Sequence, residues 1–201
     1  MKRNESEGTA ESAVERTFFG DLDKAAVERL EELYGNSVPE ETIARMKELP
    51  SSFEFGDSFE ESYAEMTGEN PPPGVMGFSS GLEVPAHIRI DEFEGVPETT
   101  LHERMHQLAH PEAPRLFGRP LYEGVTENLS LSAGEVDVNA ELQAYPNETR
   151  EARRISDLCG EGAVEKAYFE GDDSDLLECV DQAQERSFFE AQTEDKEVID
   201  G

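Results

Sequence analysis

Three of the chain's four histidines fall within nine residues, in the segment TTLHERMHQLAH over 99–110. His102 and His106 stand four apart with Glu103 after the first, the pattern H-E-x-x-H. On a helix that spacing sets the two imidazoles one turn apart on one face, where both can reach one metal ion. A carboxylate beside such an ion can take a proton from water and pass it on. A zinc site needs a third protein ligand. His110 is poorly placed, being eight residues from His102 and so about 80° further round an ideal helix. Pro111 also ends the helix there, and His110 reads as a structural residue at the helix C-terminus. Glu123 is the better third ligand, 17 residues after His106 in LYEGVTENLS. Glu127 is one turn further on and can accept the outer N–H of His102 or His106, fixing its tautomer. The plainer alternative stays open: H-E-x-x-H arises by chance, and glutamate is the commonest acid of this chain, so Glu123 and Glu127 could simply face solvent.

The elements that must position these residues are mostly helical. Residues 1–10 are polar and read as a disordered tail. AESAVERTFFG predicts a short helix. DKAAVERLEELYG predicts a second, capped by Asp21 or Asp23, with Ala26, Val27, Leu30, Leu33 and Tyr34 on one face. PEETIARMKELP predicts a third, with the stripe Ile43, Met46 and Leu49. FEFGDSFEESYAEMTG reads as a short strand and then a helix. ENPPPG opens a new unit, VMGFSSG suits an edge strand, and HIRIDEF alternates like a half-buried strand. Thr99 or Thr100 is expected to cap the histidine helix, with Glu103 completing a capping box after Thr100. A loop follows His110, then a helix from about Leu121 to Leu131. Further helices are expected over DVNAELQAY, ETREARRISDLCG with AVEKAYFEG, and SDLLECVDQAQERSFFEAQ, before a polar tail after Thr193. The fold class expected is α+β, mostly helical, with a small antiparallel sheet beside the histidine helix. The organisation expected is a helical region over 11–68, a metal-binding catalytic domain over 69–193 and a polar end over 194–201.

HERMH followed by YEGVTEN resembles the active site of the gluzincin metallopeptidases, in which a second helix carries N-E-x-x-x-[DE] or N-E-G. The likeness covers roughly 75–175, and only these two motifs are specific. It implies zinc held by His102, His106 and Glu123, Glu103 as general base, and Glu127 behind a ligand histidine. Tyr122 stands where asparagine is usual, so the outer contact made there must differ or be absent. The short spacing between the motifs implies a minimal zincin. The resemblance also implies an edge strand over the cleft that pairs with substrate, a role open to VMGFSSG or HIRIDEF, with Phe78 and His87 as substrate-binding candidates. The stretch 143–172 resembles the helical tails of small bacterial and archaeal zincin-like proteins. An oxyanion formed during hydrolysis needs a second donor besides zinc. Tyr145, Tyr122, His87 and His110 are candidates, with Tyr145 favoured for its place in a turn before Pro146. Phe117, Leu121 and Phe78 could line an apolar pocket or belong to the core.

The net charge is −30, from 47 acidic and 17 basic residues. Such a surface repels nucleic acid and anionic membranes. Glutamate supplies 35 of the acids and there are five lysines, a balance that resembles proteins of salt-loving microbes. No segment reads as a signal peptide or a membrane span, so the default compartment is the cytoplasm, with signal-independent export left open. Cys159 and Cys179 read as reduced, part-buried thiols. Three readings compete. One is a zinc-dependent peptidase acting on a peptide or protein. The second is a metal-stabilised but non-catalytic protein in a larger assembly. The third is a helical domain in which HERMH is accidental. Zinc content separates the third from the others, and Glu103 separates the first two.

Overall fold

The computed structural model describes residues 7–91, 93, 95–134 and 145–183. The helix expected over 137–145 lies almost wholly outside them, as do residues 1–6 and the tail after 193. The chain forms two compact units, one of residues 1–109 and 126–144, the other of residues 110–125 and 145–201.

The first unit opens with one long helix, α1 (Glu7–Tyr34), where two short helices were expected. A glycine inside a helix costs about 1 kcal/mol, and tertiary contacts on both sides of Gly20 outweigh that. Phe19 is buried and stacks on Phe53, with ring centroids 4.8 Å apart. Asp23 caps nothing. It is buried in the helix interior and binds the Arg104 guanidinium. Val27, Leu30 and Tyr34 line the buried face, whereas Leu33 of the expected stripe is exposed. Helix α2 (Glu40–Glu48) buries Ile43 and Met46 as its periodicity requires.

Strand β1 (Ser52–Glu54) and helix α3 (Gly56–Thr67) follow, then β2 (Gly77–Phe78) and β3 (His87–Arg89). The sheet order is β1-β3-β2. The edge pair β2–β3 is antiparallel, with Gly77 opposite Ile88 and Phe78 opposite His87. β1 and β3 are parallel, so the sheet is mixed. A parallel pair requires a crossover, which the chain from α3 to β2 provides. The alternation read in HIRIDEF holds: Ile88 and Ile90 are buried in a cluster with Phe19, Ala86 and Val96, while His87 and Arg89 point the other way.

Helix α4 (Val96–Leu108) carries the histidines. It starts earlier than the capping box implied. Gly95 is its N-cap and Pro97 lies in its first turn, where a missing N–H costs nothing. Thr100 is therefore interior, and its hydroxyl donates to the Val96 carbonyl at 2.7 Å. Its rear face is anchored by Arg104, which is fully buried. Besides Asp23, that guanidinium donates to the Leu49 carbonyl at 2.7 Å and to Gln107 Oε1 at 2.6 Å.

Helix α6 (Arg119–Gly134) is continuous, with 119–125 counted in the second unit and 126–134 in the first. The second unit also holds α5 (Ala113–Phe117), in a stretch expected to be loop, and α7 (Pro146–Cys159). Then come α8 (Glu161–Glu165), which runs on into a π-helical segment (Lys166–Glu170), and α9, residues 174–183. The backbone of α7 passes so close to Gly124 that a Cβ there would collide with the Glu148 carbonyl. This contact explains a glycine in mid-helix. Cys159 and Cys179 form a disulfide, with Cα atoms 5.5 Å apart, so the expectation of free thiols is corrected. The sequence places the two cysteines on separate helices, and only the packing of α7 against α9 brings them into bonding range. Among the described residues no helix is long and apolar enough to cross a membrane.

Candidate metal centre

The HERMH turn of α4 places His102 and His106 on one face, about 200° round from the anchoring Arg104 in the case of His102. Their rings meet edge to face, with centroids 4.7 Å apart. The two Nε2 atoms point at each other across 3.1 Å. Two unprotonated imidazole nitrogens facing at that distance repel unless a proton or a cation lies between them.

The outer nitrogens indicate which form the rings take. His102 Nδ1 lies 2.8 Å from Glu127 Oε2. An ionised carboxylate only accepts, so Nδ1 carries a proton, and in the neutral ring Nε2 then presents a lone pair. Glu127 and His102 are both nearly buried, at 8% exposure each, which strengthens this contact. His106 Nδ1 lies 3.4 Å from Thr126 Oγ1. Glu123 stands one turn before Glu127 on α6, so the helix that offers Glu127 to His102 also brings Glu123 to the imidazoles. One ligand atom each from His102, His106 and Glu123 lies within 4.8 Å of the others.

This donor set suits a divalent metal such as zinc. Two nitrogens each about 2.05 Å from zinc and roughly 100–109° apart stand about 3.1–3.4 Å from one another. The observed 3.1 Å agrees. The charge balance fits as well, since a divalent cation would offset the charges of Glu123 and neighbouring Glu103. The sequence-predicted ligands are thus brought together, and the chain holds a His–His–Glu cluster of metal-binding type.

Glu103 is buried, at 6% exposure. Its side chain packs directly beneath the edge strand: a Cβ on Gly77 would meet Glu103 Cγ at 2.7 Å and Oε1 at 2.8 Å. A glycine inside a strand often marks such a close approach, and that signal was present in VMGFSSG. Phe78 and His87 lie on the other face of the sheet, since side chains alternate along a strand. Their rings stack in parallel at 4.5 Å, Phe78 also meets Phe59 and Tyr63, and His87 Nδ1 lies 2.7 Å from Glu54 Oε1. Burial pushes the Glu54 carboxyl up. The hydrogen bonds from Ser52 and His87 outweigh that and hold it below its ordinary range.

The remaining candidates sit in the second unit. The Tyr122 ring stacks on the buried Tyr168 at 5.6 Å. Phe117 also faces Tyr168, with ring centroids 6.5 Å apart. Tyr145 is the N-cap of α7, and its carbonyl accepts from the Thr149 N–H and hydroxyl at 2.8 and 2.7 Å. His110 lies just past the end of α4, outside the metal-type cluster. Its N–H donates to the Tyr168 carbonyl at 2.8 Å, and its Nδ1 accepts from the Glu112 N–H at 3.2 Å. Compared with protein-family models, curated proteins and solved structures, the chain matches none.

Proposed function

We propose that the chain is a zinc-dependent metallopeptidase that hydrolyses a peptide or protein substrate. The observation that carries this reading is the pair of facing Nε2 atoms, 3.1 Å apart, with Glu127 on the outer nitrogen of His102 and Glu123 beside both rings. His102, His106 and Glu123 hold the metal. When bound, zinc supplies Lewis acidity toward a carbonyl and toward water. Glu103 moves the proton, accepting it from water and returning it to the leaving amine. β2 is the edge of the sheet above Glu103, the position from which an extended substrate backbone can be paired. Tyr145 remains the candidate second donor to the oxyanion.

A second reading rests on the burial of Glu103. If its carboxylate stays packed under Gly77, the centre binds metal and serves a binding or assembly role without turnover. Incubating the zinc-loaded chain with a peptide library separates the two. Cleavage by the wild type that is lost on chelation and in Glu103→Gln supports the peptidase. Equal cleavage by Glu103→Gln overturns it. The Cys159–Cys179 bond supports an oxidising compartment, in place of the cytoplasmic default.

A further inference from the structure

We propose that Thr126 is a positioning residue for His106, selecting the tautomer and ring orientation that point Nε2 inward. The inference rests on the metal-site reading above and extends it to a residue that neither motif singles out.

Each imidazole of the pair needs a partner on its outer nitrogen, because a neutral ring carries one proton and can place it on either side. His102 has a carboxylate at 2.8 Å. His106 has the Thr126 hydroxyl at 3.4 Å. Thr126 is fully buried, so water does not readily substitute for its oxygen at this spot. A hydroxyl oxygen can accept from Nδ1–H, and that leaves Nε2 unprotonated toward His102. A β-branched side chain on a helix has few rotamers open to it, so the oxygen is held in place by α6. Tyr122, one turn earlier on α6, has its ring engaged with Tyr168. The two histidines are therefore held unequally. Glu127 offers a charged acceptor that raises the basicity of His102, whereas Thr126 offers a neutral one that orients His106 with little electronic effect.

The test titrates the metal-free full chain with Co2+, whose visible absorption reports coordination, and measures zinc affinity by chelator competition. Thr126→Val keeps the shape and removes the hydroxyl, while Thr126→Ser restores it. Melting of the metal-free proteins reports on folding apart from the metal. The proposal expects Thr126→Val to weaken zinc binding about 10-fold, the lower end for such partners. It also expects the Co2+ spectrum to change, metal-free melting to be preserved and Thr126→Ser to recover most of the affinity. Wild-type affinity and spectrum in Thr126→Val overturn it, as does a serine variant as weak as the valine one. If the wild type takes up neither Co2+ nor zinc, the metal reading falls and this inference with it.

Discussion

At the residue scale, HERMH and Glu123 show how much of a site can be legible in a sequence. Four-residue spacing on a helix puts the two imidazoles on one face, where they can converge, and Glu123 and Glu127 share a face for the same reason. Glu127→Ala should weaken zinc binding about 10–100-fold, more than Thr126→Val, because it removes a charged partner. Isothermal titration of both variants checks the order. Glu103→Gln should keep its metal while peptide cleavage falls by about 10²–10⁴-fold. Gly77→Ala should act on the same step from the other side, by pushing on Glu103. It is expected to lower kcat with zinc content unchanged, measured by steady-state kinetics beside metal analysis. Thr126 and Gly77 were not legible as site residues. Nothing in a threonine between Val125 and Glu127 says that its hydroxyl meets His106. A strand glycine announces a close approach but not to which side chain.

At the element scale, the strands and the existence of most helices followed from periodicity, while the continuity of α1 through Gly20 and the start of α4 did not. Both errors came from reading local caps where a tertiary contact decides. Asp23 was a plausible N-cap, but it binds the guanidinium of a residue 81 positions away. Thr100 and Glu103 formed a plausible capping box, but burial of Val96 extends α4 to Gly95. Arg104 fills an unspecified position of H-E-x-x-H, yet it fastens the rear of α4 to α1 and α2. Arg104→Ala leaves Asp23 buried without its cation, though the Ser51 N–H still donates to it at 3.3 Å, and should cost about 3–5 kcal/mol of stability, measured by urea unfolding. On the sheet, the lowered Glu54 carboxyl contributes stability that is present above its unfolded value of 4.5 and is lost as pH falls through its folded value. Glu54→Gln should therefore lose stability relative to wild type at neutral pH, with the gap closing as pH falls below that value.

At the scale of the whole molecule, charge and cross-linking set the conditions under which the chain folds. A net charge of −30 repels itself, and added salt screens that repulsion over about a Debye length, 10 Å at 0.1 M. Thermal stability should rise with ionic strength, and a flat or falling salt dependence would show the charges to be locally compensated. The disulfide closes a loop of 20 residues in the second unit. By loop closure alone it contributes about 3 kcal/mol, a difference that unfolding with and without reductant would read. Two lone cysteines in a sequence carry no such information, since their pairing depends on how α7 and α9 pack.

Metal content tests the central claim most directly. Mass spectrometry of the wild type, purified in high salt without chelator, should find about one zinc per chain. Glu123→Ala, prepared alongside, should have lost most of it. A wild type that holds no metal and takes none up on reconstitution, or a Glu123→Ala variant that binds as well as wild type, would contradict the account.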